Sequence, residues 1–182
     1  SLALDSSDYS HISYYDSGAN DDLKYAYWDG ASWNIVTVDN AGNVGIWTSL
    51  ALDSNGYSHI SYRDITNDAL RYAYWDGSSW HKALVDDPPN DVGYYTSLAL
   101  GMGGYPHISY YDATDDDLKY AYMDSGGWHI VTVDSTNSVG AYTSLALDWH
   151  GYPHISYYDP TNDGLKYAYL DSGRWYFVTT GT

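Results

Sequence analysis

Four histidines, His11, His59, His107 and His154, recur at one spacing, and each is followed two residues later by a serine: Ser13, Ser61, Ser109 or Ser156. Four imidazoles on one axis would make a ring able to hold a metal. Symmetric repetition is also what a packing role produces, and the expected role is an imidazole hydrogen-bonded within or between repeats. Carboxylates cluster at Asp112, Asp115, Asp116 and Asp117, where oxygen ligands within six residues make calcium the candidate ion, although no loop has EF-hand or RTX spacing. A third set is aromatic. Trp33, Trp80, Trp128 and Trp175 recur once per repeat, with Trp47, Tyr94, Tyr95 and Tyr142 between repeats. Aromatic faces beside Asp and Asn are the materials of shallow sugar sites, where a ring stacks on the sugar and carboxylates accept its hydroxyls. They are equally the materials of a protein–protein interface.

A single site has to break a repeat, so the departures carry weight. Arg63 stands where other copies have Tyr, Lys82 enters a strand otherwise apolar at that point, and Gly101-Met102-Gly103-Gly104 replaces an Asp turn. Trp149 and His150 enlarge the same turn in the last copy and project from one rim. Arg63, Trp149 and His150 are therefore ligand-binding candidates beside the four repeated tryptophans. An Asp pair could hydrolyse a glycosidic bond, but the aspartates repeat symmetrically where an active site should not. The expectation is a non-catalytic chain.

These residues need positioning elements, and the internal period supplies them. SLAL recurs at Ser1, Ser49, Ser97 and Ser144, and YAY at Tyr25, Tyr72, Tyr120 and Tyr167, giving spacings near 48. Length differences fall between Asp16 and Leu23 and around Pro88-Pro89, which marks both as connections. Each copy holds four short runs of strand composition, for example SLALD, HISYRD, LRYAYWD and WHKALVD, separated by turn-rich segments. Leu2 and Leu4 alternate with Ser1 and Ala3, a period of two. A four-stranded meander covered on both faces by copies of itself is a β-propeller blade. The expected fold is an all-β propeller of four four-stranded antiparallel blades, at 1–48, 49–96, 97–143 and 144–182. Either the four close on themselves, or the chain is a segment that pairs with another chain or with further repeats.

Composition agrees. The 182 residues hold no Glu, no Gln and no Cys but 23 Tyr, and all 24 acidic residues are Asp. Eighteen of them occupy five repeated positions: Asp5, Asp53 and Asp148; Asp16, Asp64, Asp112 and Asp159; Asp29, Asp76, Asp124 and Asp171; Asp39, Asp86 and Asp134; Asp21, Asp68, Asp116 and Asp163. Short carboxylates at strand ends accept turn N–H groups, so turn chemistry repeated by blade explains most of the net charge of −17. Such a chain is a poor ligand for phosphates or anionic lipid, so nucleic acid and membrane insertion are not expected. Ser1 opens directly into patterned sequence, which reads as a mature, processed or partial chain. An acidic, Tyr- and Asn-rich, cysteine-free repeat suits an extracellular or cell-surface setting.

The stretch Ala51–Tyr62, A-L-D-S-N-G-Y-S-H-I-S-Y, resembles the strand, Asp/Gly turn, strand pattern of NHL-type, sialidase-like (BNR) and lectin propellers, in all four copies. The resemblance implies the fold. Sialidase chemistry would need an arginine cluster and a Tyr activated by Glu, whereas this chain has only Arg63, Arg71 and Arg174, with Arg71 at the Lys24/Lys119/Lys166 position. Two functional classes remain open: a lectin-like extracellular binder of carbohydrate or a cell-surface polymer, and a structural protein that self-assembles with copies of itself into a larger ring, sheet or filament through its outermost strands and its aromatic surfaces.

Overall fold

In a β-strand successive side chains point to opposite faces, so Leu23, Tyr25 and Tyr27 share one face and Lys24 and Ala26 the other. Stacked copies then meet large against small. The computed structural model describes residues 1–18, 20–87 and 89–181, and shows four antiparallel four-stranded sheets with strands in sequence order. Pro88 of the expected insertion and Thr182 lie outside these residues.

Blade one comprises β1 (Leu2–Leu4), β2 (Ser10–Asp16), β3 (Asp22–Trp28) and β4 (Trp33–Asp39). Blade two follows with β5 (Val44–Leu52), β6 (Ser58–Asp64), β7 (Ala69–Trp75) and β8 (Trp80–Asp86). Blade three is β9 (Val92–Leu100), β10 (Pro106–Asp112), β11 (Asp117–Asp124) and β12 (Gly127–Asp134). Blade four is β13 (Ala141–Leu147), β14 (Pro153–Asp159), β15 (Gly164–Asp171) and β16 (Arg174–Gly181). The propeller architecture is the one the repeats imply.

One detail differs from the sequence reading. Trp47, Tyr94, Tyr95 and Tyr142 belong to the innermost strands β5, β9 and β13 rather than lying between repeats, so these strands begin upstream of each SLAL. The pairing is irregular between Ile46 and Ser49 and at the matching places in the next two blades. There Trp47, Tyr95 and Tyr142 take left-handed backbone at φ 50, 54 and 53°. A bulge breaks the period-two alternation, which is why the strand is hard to see in sequence. Just before it, Gly45 (φ 107°) passes over blade one so closely that a Cβ would lie 2.7 Å from Leu23 Cα. No side chain fits there.

Blades are stitched by bonds that repeat at every boundary. The N–H groups of Leu50, Leu98 and Leu145 donate to the hydroxyls of Ser1, Ser49 and Ser97 at 3.1, 3.0 and 3.0 Å. Tyr62, Tyr110 and Tyr157 donate to Asp39, Asp86 and Asp134 of the preceding blade at 2.7, 2.6 and 2.7 Å. A buried hydroxyl bonded to a carboxylate is worth about 1.5–3 kcal/mol, so these pairs fix blade register as well as stability.

The ring is open. Three apolar clusters seal the boundaries between consecutive blades, and none joins blade four to blade one among the described residues. Leu50, Leu98 and Leu145 are 7, 7 and 9% exposed, but Leu2 at the same position is 62% exposed. At the other end Leu165 is 52% exposed, where Leu23, Leu70 and Leu118 are fully buried.

Candidate functional site

A groove of about 360 Å³ runs along the boundary of blades one and two, on the rim carrying the β5–β6 and β7–β8 turns. Turn chemistry builds it. Asp53 Oδ1 accepts the N–H groups of Asn55 and Tyr57, both at 2.8 Å, which closes the β5–β6 turn and presents Tyr57. The Tyr57 hydroxyl occupies the space a Cβ on Gly77 (φ 94°) would need, since that atom would lie 2.5 Å from it. Tyr27, Trp75 and Trp80 complete the aromatic lining. Trp80 meets the Tyr25 ring edge-on at 5.3 Å and packs on Trp75 at 5.8 Å.

The polar side of the groove is a relay. Ser58 Oγ donates to the Tyr25 hydroxyl at 2.7 Å across the blade boundary, and that hydroxyl bonds His11 Nδ1. His11 Nε2 faces Asp5 Oδ2 at 3.6 Å. A carboxylate on that side favours the proton on Nε2, which leaves Nδ1 to accept from Tyr25. Burial pushes the Tyr25 hydroxyl up, so it stays protonated near neutrality. The relay is a fixed row of polar groups beside partly buried aromatic rings, an arrangement that offers hydrogen bonds and stacking surface together.

The other two boundaries lack this combination. Ser58 is replaced by Pro106 and Pro153, and Trp75 by Met123 and Leu170, so only the first groove has both the boundary hydroxyl and the second indole. His59, His107 and His154 still pair with Tyr72, Tyr120 and Tyr167. The histidines thus bond within their blades rather than forming an axial ring.

The residues singled out in the sequence are spread over both rims. Of the repeated tryptophans, Trp80, Trp128 and Trp175 wedge edge-on against Tyr25, Tyr72 and Tyr120 of the preceding blade, and Trp33, with no blade before it, is half exposed. Only Trp80 lines the groove. Trp149 is fully on the surface and stacks beside His150, in a shallower hollow with Tyr152 and Tyr169 on the same rim. Arg63 is buried at the opposite rim, where its Nη2 reaches Asp68 at 2.9 Å and Asp91 at 2.5 Å and its guanidinium lies 4.2 Å over the Tyr94 ring. Its Nη2 is held within the fold, while its Nε is buried with no hydrogen-bond partner among the described residues.

Of the four aspartates of the calcium candidate, Asp112 and Asp115 meet at Asn90 Nδ2, while Asp116 is engaged by the Tyr111 hydroxyl. Asp112 also accepts from Thr114 N and Asp115 N and pairs with Lys119 at 3.0 Å. Burial and the neighbouring Asp115 and Asp112 push the Asp117 carboxyl up. Among the described residues no three His or Asp side chains are grouped to hold an ion. Near the axis of that rim, Trp47, Tyr95 and Tyr142 form a row with centroids 5.0 and 4.4 Å apart.

Sequence reasoning missed Asn55, Tyr57, Ser58 and Trp75. Ser58 and Trp75 were findable as positions where blades one and two, with Ser10 and Trp28, differ from the Pro and the Met or Leu of blades three and four. That Asn55 and Tyr57 face them is a matter of blade packing.

No family model matches the chain, and no curated protein matches it. Solved structures do. AofleA from Arthrobotrys oligospora is similar over 96% of this chain and 54% of its own, at TM-score 0.67 and 13% identity. A PL25 ulvan lyase bound to -[GlcA(1-4)Rha3S]- is similar over 97% and 56%, at TM-score 0.64 and 14% identity. The Hadza microbial sialidase Hz136 is similar over 96% and 44%, at TM-score 0.66 and 13% identity. The chain spans about half the length of these three. At such identities the likeness establishes one thing, the β-propeller fold shared with sialidases and a polysaccharide lyase.

Proposed function

We propose that the chain is a non-catalytic carbohydrate-recognition module of the extracellular space or cell surface, and that it binds neutral sugars in the groove between blades one and two. The observation that carries this reading is the make-up of the groove. Five Tyr and Trp side chains, the His11 imidazole, the Ser58 hydroxyl and one exposed amide line it, with no carboxylate and no Lys or Arg. Most glycosidases use two carboxyl groups flanking the bond, and acidic sugars are commonly gripped by Lys or Arg; the lining provides neither. Aromatic stacking on an apolar sugar face with hydroxyls fixing orientation is what remains. Two structural neighbours, a polysaccharide lyase and a sialidase, support a carbohydrate ligand without supporting cleavage here.

The test is titration calorimetry of the intact chain against neutral and uronate- or sialate-containing oligosaccharides, with and without EDTA, while monitoring for released product. Binding of neutral sugars, unchanged by EDTA and without product, is the expected result. Binding confined to acidic sugars, loss with EDTA, or cleavage would each replace this reading.

A further inference from the structure

We propose that the two open blade faces are the two halves of one interface, and that the free face of blade one docks head to tail on the free face of blade four in a second copy of this chain. The inference rests on the fold alone and is independent of the sugar-binding reading. Each internal boundary uses the same groups on each side. The leading side offers a strand-three leucine, Leu23, Leu70 or Leu118, with a strand-two serine, Ser13, Ser61 or Ser109, all fully buried once the next blade is present. Blade four offers Leu165 and Ser156 at these positions, but Leu165 is exposed and Ser156 partly so. Its Ser144, equivalent to the Ser1, Ser49 and Ser97 acceptors, is also exposed.

The receiving side repeats likewise. Tyr62, Tyr110 and Tyr157 each donate to the blade before, and Trp80, Trp128 and Trp175 each wedge against its tyrosine. Blade one carries Tyr14 and Trp33 there. Tyr14 has no side-chain hydrogen-bond partner among the described residues, unlike its three counterparts, and Leu2, Leu4 and Ile35 are exposed on the same side. Apolar area of this kind seldom stays uncovered on a soluble protein.

The occupant follows from continuity with the three interfaces already formed. The surface that covers each leading side in this chain is the receiving side of the same repeat, and a second copy presents one. The contact is heterologous, with different patches meeting, so it propagates until it closes. Two copies joined at both ends would set eight blades around one axis; joined at one end they leave a longer arc. The net charge of −17 on each copy opposes the approach, and added salt screens that repulsion, so association should strengthen with ionic strength.

Light scattering of the intact chain over a concentration series is the first readout, and assemblies of two or more chains are expected. Leu2→Asp disables only the receiving face, and Leu165→Asp only the leading face. Each variant alone should associate about a hundredfold more weakly, while an equimolar mixture, which retains one intact face of each kind, should form a two-chain species. Leu4→Asp and Val178→Asp repeat the design on the same faces should either leucine variant lose its near-ultraviolet tryptophan signal. A wild-type chain that stays single at all concentrations overturns the proposal. So does association that survives both variants, the outcome for pairing through the outer edges of β4, β8, β12 and β16, or a mixture that fails to pair.

Discussion

Ser58 Oγ and the Tyr25 hydroxyl meet at 2.7 Å across the boundary of the first two blades. The contact joins a repeated element, the His–Tyr pair of every blade, to a residue that occurs at only one boundary. Blades three and four carry proline at the Ser58 position, and those prolines pair with Leu100 and Leu147 as Ser58 pairs with Leu52. Ser58→Pro is therefore compatible with the backbone and removes one hydroxyl. Sugar affinity should fall by about 2- to 10-fold, the worth of one hydrogen bond, with the melting temperature little changed. Calorimetry beside thermal denaturation checks this, and unchanged affinity would remove Ser58 from the site.

Trp75 lines the groove but is absent from the equivalent positions of blades three and four. Trp75→Leu imports the blade-four residue, so packing should tolerate it. Loss of one stacking face should weaken sugar binding by about tenfold. Trp128→Phe, at a wedge outside the groove, should leave affinity unaltered and lower stability instead. If both variants affect binding alike, the site is not confined to the first groove.

The fold was legible because it is written four times. SLAL, HIS and YAY set the period, and alternation within β1 and β3 marked strands. The aspartates were legible for a similar reason: Asp21, Asp68, Asp116 and Asp163 all take left-handed backbone, at φ 53, 54, 61 and 49°, which short polar side chains tolerate. The groove was not legible in the same way. Its residues come from two blades about 50 positions apart, and repeat arithmetic compares equivalent positions, not positions that touch. Arg63 is the opposite case. It breaks the repeat conspicuously, but the break is filled from inside by Asp68, Asp91 and Tyr94. The open ring was half legible, since four complete blades allow closure or not, and the choice lies in curvature.

Asp39 accepts from the buried Tyr62 hydroxyl at 2.7 Å and from Lys82 at 2.7 Å. Burial works to push its carboxyl up, and Lys82 and Tyr62 together hold it below the ordinary carboxylate value. Asp39→Ala strands a buried hydroxyl and should cost about 3 kcal/mol, whereas Tyr62→Phe removes the donor with it and should cost about 1 kcal/mol. Urea denaturation of both variants measures the difference. Equal losses would mean that the carboxylate is satisfied without Tyr62.

His107 provides a pH signature. Its three counterparts face a carboxylate, His11 Asp5, His59 Asp53 and His154 Asp148, at 3.6 to 3.9 Å, but Gly101 stands at that position in blade three. Burial alone therefore pushes the His107 imidazole down to about 4. Its folded-state value is below the unfolded one near 6.5, so above that pH both states are neutral and no penalty exists. As the pH falls from about 6.5 toward 4 the unfolded chain takes up a proton that the folded chain refuses, and stability drops by on the order of 1–3 kcal/mol. Gly101→Asp restores the carboxylate found in the other blades, at the cost of a small shift of the imidazole, since a Cβ there would lie 2.6 Å from His107 Nε2. The His107 resonance should then titrate at higher pH, and the stability slope between pH 6.5 and 4 should flatten. A His107 resonance that titrates at the same pH in the wild type and in Gly101→Asp would show that the missing carboxylate does not govern this proton.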